Sequence, residues 1–235
     1  MSEIVPKDNL REFFKRWPHL YVFAVHAFGP AYLGGFGPRK FLRHYFPAIN
    51  KHTIFNIGSG PVRLRSDIKN IDIEQYGEVD IVADITAIPL ADNSVDGLVC
   101  DNVLEHVVDP RAAVSELLRI LKPGGVGYIS TPFMYPFHAS PHDYQRWTAA
   151  GLRELFKGFG SVEVGVRSGI FSTFSVWLAY VPATLLSFGS DRVYWFWVNV
   201  TLLFIFPIKF LDIIFNSFSF SSHTASVFYC VVRKA

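Results

Sequence analysis

The chain is short of cysteine and of net charge, and both shortages narrow its class. Cys100 and Cys230 are the two cysteines in 235 residues. Both fall inside apolar runs, so they read as inert core thiols rather than a disulfide, and a reducing, cytoplasmic compartment is expected. Lys and Arg total 22 against 20 Asp and Glu, a net charge of +2. With no basic stripe interleaved with aromatics, nothing argues for nucleic acid as a partner. A leading apolar run with a cleavage site is also missing, so no secretory signal is expected. Charge is absent altogether from two long stretches, 170–189 and 193–208.

A third glycine is missing too, and its absence bears on the ligand. Residues 53–60 read TIFNIGSG, a short apolar run ending in Gly58-Ser59-Gly60. Such runs fit a strand buried on both faces of a parallel sheet. Glycines just after the strand let the backbone turn sharply and approach a ligand closely. A dinucleotide fingerprint needs G-x-G-x-x-G to carry a pyrophosphate at a helix N-terminus. Here Arg63 stands at the third position and Pro61 follows Gly60 directly. The stretch from Gly60 to Asp72, which ends the next candidate strand, is short for a crossover helix. A cofactor with ribose and adenine but no phosphate fits better.

The following segments extend the alternation of strand and loop. Asp84 ends a third short strand, residues 97–100 form a fourth, and residues 101–106 open a helical stretch. Asp109-Pro110 starts a helix with Ala112, Val114, Leu117, Leu118 and Leu121 on its apolar side, Pro being well tolerated at a first helical position. Lys122-Pro-Gly-Gly125 is expected to terminate it, and residues 126–130 to form the fifth strand.

In order and spacing, NIGSG, IDI, VADITAIPLADNSVD, VLEHVVDP and LRILKPGG resemble the class I S-adenosylmethionine-dependent methyltransferases, and most closely their type 11 group. The resemblance implies a Rossmann-like, seven-stranded, mostly parallel sheet with flanking helices, and S-adenosyl-L-methionine as cofactor. Carried over by position, Gly58, Ser59 and Gly60 would pass beneath the methionine and ribose. Asp72 would accept the ribose hydroxyls and Ile73 lie on the adenine. Asp84 would take the adenine amino group under Ile85, and Asp101 and Asn102 would meet the methionine end. Asn56 departs from the Asp or Glu usual there, yet Asn can still orient the glycine turn.

Chemistry is expected after the fifth strand, in residues 131–148. A hydroxyl acceptor needs somewhere for its proton to go, and a near-neutral histidine is the usual choice. His142 and His138 are the candidates, with Asp143 to orient the ring. Their i,i+4 spacing could bind a metal on a helix, but Pro141 interrupts a regular helix and no third ligand is evident, so no metal is expected. The string YPFHASPHDYQRWT resembles a subgroup of surface polysaccharide and glycolipid assembly, which implies a sugar hydroxyl on a lipid-linked glycan as acceptor. A small lipophilic acceptor such as a quinone or polyketide, or a non-catalytic membrane scaffold, are the other readings.

The apolar excess is localised in a helical hairpin, residues 170–217, placed between the last two strands (163–166 and 225–232). A helix over 170–189 would be about 30 Å long, roughly the hydrocarbon thickness of a bilayer. Trp177, Tyr180, Tyr194, Trp195 and Trp197 are residues favoured at membrane interfaces, and Pro182 and Pro207 are expected to kink or end the helices, so a re-entrant or half-buried, peripheral hairpin stands beside a full span. Expected partners are therefore membrane lipid or a lipid-linked acceptor at the cytoplasmic face, a homodimer through the hairpin being the competing use of the same surface. The chain then divides into an N-terminal lid or interfacial segment (1–50), a methyltransferase domain (51–169 and 218–235) and the hairpin (170–217). In the first segment, Arg11, Phe13, Phe14, Lys15, Arg16 and Trp17, then Arg39, Lys40, Phe41 and Arg43, alternate basic and aromatic character.

Overall fold

The computed structural model describes residue 23 and residues 27–32, 34–138 and 142–235. The basic and aromatic residues 11–17 of the expected interfacial segment lie outside them. The described residues divide into two compact units: one comprises residues 36–133, 142–166 and 227–235, the other residues 23, 27–32, 34–35, 134–138 and 167–226.

The first unit holds the sheet. Seven strands, β1 (Ile54–Ile57), β2 (Lys69–Asp72), β3 (Ile81–Val82), β4 (Val95–Asp101), β5 (Leu121–Pro132), β6 (Ser161–Ser168) and β7 (Val227–Arg233), lie in the order β3-β2-β1-β4-β5-β7-β6. Strands β3, β2, β1, β4 and β5 pair in parallel, whereas β7 runs antiparallel to β5. The order reverses between β1 and β4, and in such sheets ligands sit at that point, beyond the carboxyl ends of the strands. Among the described residues no helix separates β1 from β2 or β2 from β3, in keeping with the short spacing from Gly60 to Asp72.

Helix α1 (Pro38–Tyr45) starts with Pro in its first turn and buries Phe41 and Leu42. These join Phe46, Ile54, Val99 and Tyr128 in one core cluster. Gly97 is required there, since a Cβ on it would stand 2.4 Å from the Phe46 ring. Residues 36–50 thus belong to the sheet unit and not to a separate lid. Arg39, Lys40 and Arg43 are the exposed face of a helix whose Phe41 is wholly buried.

Helix α2 (Pro110–Ile120) is capped by Asp109, whose side chain accepts from Arg111 and Ala112 N–H at 3.0 Å each. Its buried face is Ala113, Val114, Leu117 and Ile120; Val114, Leu117 and, just beyond the helix, Leu121 are buried as expected, whereas Ala112 and Leu118 are only partly so. Lys122-Pro-Gly-Gly125 does not end the helix, which stops at Ile120; it lies within β5, where the register with β4 slips between the Val95–Leu121 and Gly97–Val126 pairs. The extra length has a physical cause: Gly124 takes φ +77°, and its N–H donates to Lys234 O at 3.0 Å, so the bulge stays hydrogen-bonded. Helix α3 (Ala149–Leu155) is capped by Thr148. Both cysteines are free and buried.

The second unit is built on the apolar segment. Helices α4 (Ile170–Leu186) and α5 (Asp191–Ile205) are joined by a short turn and followed by a 3₁₀ segment, Phe206–Leu211, and the single turn α6 (Asp212–Phe215). Pro182 sits inside α4 without ending it, while Pro207 opens the 3₁₀ segment that ends α5. Residues 27–32 pack in this unit. Ser168 Oγ donates to Tyr32 O (2.6 Å), and Tyr32 N–H donates to Ser172 Oγ (2.7 Å).

Candidate active site

The carboxyl ends of β1, β2, β3 and β4 bring the sequence-predicted residues to one edge of the sheet. Gly58 and Gly60 both take positive φ, 67° and 56°. Gly58 has no alternative, because a Cβ there would lie 2.4 Å from a Val103 methyl group. Above Gly60 there is open space, with nothing within 4 Å of where a Cβ would stand. Ile71 O pins the turn by accepting Gly58 N–H (2.8 Å) and Ser59 N–H (3.2 Å). Asn56 is buried one turn below, and its Nδ2 donates to Asn70 Oδ1 at 3.4 Å.

Three acids stand at or just beyond the carboxyl ends of these strands, and Asp72 touches the turn itself. Asp72, at the end of β2, accepts Gly60 N–H (2.7 Å) on Oδ2 and Glu74 N–H (3.0 Å) on Oδ1. Its carboxylate therefore fixes the glycine turn while keeping lone pairs for a ligand, since a carboxylate offers about four acceptor sites. Asp84 follows β3 and is exposed; its Oδ1 accepts Thr86 N–H (2.8 Å) and Thr86 Oγ (2.7 Å). Asp101 ends β4, where Ser130 Oγ and Asn102 Nδ2 (3.3 Å) donate to it. Asn102 is held at φ +54° with its N–H on Ser130 O (3.0 Å), a conformation that is uncommon outside glycine. Of the two expected adenine-facing residues, Ile73 is 63% exposed and Ile85 is buried.

An edge lined by Asp72, Asp84 and Asp101 repels a phosphate and attracts hydroxyl, amino and cationic groups. S-adenosylmethionine presents ribose hydroxyls, an adenine amino group, an ammonium and a sulfonium, so the residues present fit it. Arg63, the residue that displaced the third glycine, is committed elsewhere: its guanidinium pairs with Glu78 (2.8 Å) and Asp80 (3.0 Å). That pairing, led by the hydrogen bond from Arg63, holds the Asp80 carboxyl below its usual range.

Beyond Asn102 the chain forms a 3₁₀ turn, Leu104–His106, rather than the expected helix, because β4 extends through Asp101. His106 was not among the predicted bases. Its Nδ1 stands 2.5 Å from His142 O; a carbonyl only accepts, so Nδ1 carries the proton. The other ring nitrogen, Nε2, lies 3.8 Å from Oε1 of the fully buried Glu105. Tyr144 N–H donates to Glu105 O (2.8 Å), a second tie to the same turn. The Glu-His pair in VLEHVVDP was a family marker in the sequence, and periodicity gives no sign that such a glutamate is buried.

His142 is exposed and packs against the Tyr144 ring (5.4 Å between centroids). Asp143 is engaged by Arg146 in a bidentate pair, with Nη2 2.6 Å from Oδ2. His138 belongs to the hairpin unit, where its ring packs on Tyr135 (5.1 Å). Pro141 lies outside the described residues.

Residues 41–129 match a family model described as a methyltransferase domain. The chain is 38% identical over 104 residues to a protein of Mycolicibacterium smegmatis named as a probable S-adenosylmethionine-dependent methyltransferase, over 41% of this chain and 40% of that one. It is 39% identical over 71 residues to a demethylmenaquinone methyltransferase of Renibacterium salmoninarum, covering 28% of this chain and 30% of that one. The chain thus spans well under half the length of these relatives. Among solved structures, the fold is similar to phosphoethanolamine N-methyltransferase 2 of Haemonchus contortus in complex with S-adenosyl-L-methionine (TM-score 0.53, 17% identity, covering 97% of this chain and 60% of that one). It is also similar to an S-adenosylmethionine-dependent methyltransferase of Thermotoga maritima (TM-score 0.54, 16% identity, covering 95% and 99%).

Proposed function

We propose, from the S-adenosylmethionine-dependent methyltransferase domain that this chain carries, that the protein methylates a lipophilic or lipid-linked acceptor at the cytoplasmic face of a membrane. The single observation that carries the activity is the glycine turn beside Asp72 at the switch point of the sheet. Asp72 would receive the ribose hydroxyls, Asp84 the adenine amino group, and Ile73 and Ile85 the ring faces. Gly58, Ser59, Gly60, Asp101 and Asn102 would hold the methionine end. When bound, the cofactor supplies an electrophilic methyl group on sulfur.

The remaining work falls to the chain. A hydroxyl acceptor must be aligned with the methyl group and must lose a proton late in the attack. His142, with His138 as the other candidate, is the residue we assign to receive it. The 2.5 Å contact from His106 Nδ1 to His142 O and the Asp143–Arg146 pair fix the backbone that presents His142. Asp143 acts in this scheme by holding the loop through Arg146.

For the acceptor, the apolar hairpin supports delivery from a membrane, and the loop string YPFHASPHDYQRWT supports a sugar hydroxyl on a lipid-linked glycan. A second reading, a quinone-type acceptor, is favoured by the likeness to a demethylmenaquinone methyltransferase. Membranes from cells producing the protein, incubated with methyl-labelled S-adenosylmethionine, test both. Label in a glycolipid fraction that mild acid releases as sugar supports the first; label in an apolar ring compound supports the second. Label confined to protein or to the aqueous phase contradicts the proposal.

A further inference from the structure

The hairpin is built inside out. Along α4 the exposed side chains are Ile170, Phe174, Trp177, Val181, Thr184, Leu185 and Leu186, all apolar but Thr184. The buried face of the same helix is small or polar: Ser172, Thr173, Ser175, Val176, Ala179 and Ala183. A water-soluble helix has the opposite distribution, whereas small residues between helices and bulky apolar ones outside is the arrangement that packs helices in lipid. Helix α5 buries only Val198 and exposes Phe196, Leu203 and Phe204, the last 79% accessible. It is therefore no core helix of a soluble protein.

Several polar side chains of the pair bond back to their own helices, whereas Ser175 Oγ, on the buried face of α4, has no hydrogen-bond partner among the described residues. Asn199 Nδ2 donates to Trp195 O (2.7 Å), Thr184 Oγ to Tyr180 O (2.8 Å) and Ser187 Oγ to Thr184 O (3.0 Å), each returning to its own helix. In hydrocarbon every backbone and side-chain polar group must be satisfied internally. Helices that lie flat in the interface carry a charged face, and α4 has no charged residue while α5 has charges only in Asp191 and Arg192 at its start. Those two charges sit at the tip, with Tyr194, Trp195 and Trp197 in the next turns, the aromatic belt of a membrane–water boundary.

The two ends of the hairpin are tied together. Asp212 is fully buried and accepts Gly169 N–H (2.9 Å), Phe171 N–H (2.9 Å), Ser172 N–H (3.0 Å) and Ser172 Oγ (2.6 Å). It caps α4 from about forty residues away in the chain. Lys209, also buried, donates to Ala27 O (3.1 Å) and Gly29 O (2.6 Å) beside this clip. Charge at the clip, charge at the tip and none between define two polar ends and an apolar middle. The 17 residues of α4 give about 25 Å of helix at ~1.5 Å per residue, which with the tip turn approaches the hydrocarbon thickness of about 30 Å.

We propose that the hairpin crosses the bilayer and returns, with both ends clipped by Asp212 at the cytoplasmic face and with Ser190-Asp191-Arg192 in the opposite headgroup layer. This rests on the membrane reading above and adds a topology to it. The test uses the full chain, produced in a bacterial host, with Ser190→Cys at the tip or Ser161→Cys in the sheet unit. Cys100 and Cys230 are buried, so native thiols stay silent. A membrane-impermeant maleimide is applied to right-side-out and to inverted membrane vesicles. The expected result is labelling of Ser190→Cys in right-side-out vesicles only and of Ser161→Cys in inverted vesicles only. Labelling of both from the cytoplasmic face overturns the crossing but leaves the membrane reading standing. Loss of the unmodified chain from the pellet in an alkaline carbonate wash, which strips peripheral proteins, likewise overturns the crossing alone; absence from the membrane pellet before any wash overturns both.

Discussion

Removing the carboxylate of Asp212 should open the base of the hairpin while leaving the sheet intact. Gly169, the residue before α4, has no side chain to cap that helix, and Asp212 supplies the acceptor in its place with three N–H groups and one hydroxyl converging on it. Hydrogen bonds to a charged group contribute about 1.5–3 kcal/mol each, and a buried donor left without a partner costs about 1–3 kcal/mol. These values do not add, because Asp212→Ala leaves space for water and the donors share one acceptor. Breaking a buried, charge-assisted cluster by removing one member typically costs about 3–5 kcal/mol, and that is the expected magnitude. At ~1.4 kcal/mol per decade, amide exchange at Gly169, Phe171 and Ser172 should accelerate by roughly two to three and a half orders of magnitude. Hydrogen-exchange mass spectrometry on the detergent-solubilised protein reads this directly, with peptides from β4 and β5 as the internal reference. Protection of those amides within about threefold of the unmodified chain, under ~0.7 kcal/mol by the same conversion, would refute the clip.

Asp72→Ala should weaken S-adenosylmethionine binding at least about tenfold, since it removes acceptors each contributing ~1.5–3 kcal/mol and frees Gly60 N–H; titration calorimetry on the folded variant measures it. His142→Ala should lower methyl incorporation into membrane extracts by about 10²–10⁴ with cofactor affinity unchanged, and His138→Ala less. Equal, mild losses in those two would leave proximity as the source of rate. Stability should fall on acidification, because Asp67, beside Arg65 and Asn50 N–H, and Glu116, beside Arg119, have carboxyls held below their usual range. A depressed folded value means the contribution is present above the unfolded values of about 4 and is lost as pH drops through the folded ones. Thermal melts of Asp67→Asn should accordingly show a shallower loss between about pH 4 and pH 2, and an unchanged slope would count against this pairing.

How far the sequence reached depended on whether a feature was local. The glycine turn, Asp72, Asp84 and Asp101 were legible because each closes a strand, and parallel strands bring their ends to one edge. Helix α2 was legible from Asp109-Pro110, a cap and a first-turn proline in adjacent positions. On α2, Val114 and Leu117 were read correctly, but Leu118 is as apolar as Leu117, and only packing leaves it partly exposed. Lys122-Pro-Gly-Gly125 has the composition of a helix stop; that it continues a strand through a bulge depends on Lys234, more than a hundred residues later. The same distance hid the Asp212 clip and the tie between His106 and His142, since neither partner signals the other by spacing. Residues 36–50 were read, within 1–50, as a lid or interfacial segment on their alternating basic and aromatic residues, whereas Phe41, Leu42 and Phe46 decide their place in the core.

Binding of S-adenosylmethionine to the unmodified full chain, measured by titration calorimetry in detergent, tests the central claim most directly. The account predicts saturable one-to-one binding in the range of ordinary substrate affinities, roughly 1 μM to 1 mM, lost in the Asp72→Ala, Asp84→Ala double variant. Absence of saturable heat at ~1 mM cofactor, the upper end of that range, from a protein whose sheet is folded would contradict it.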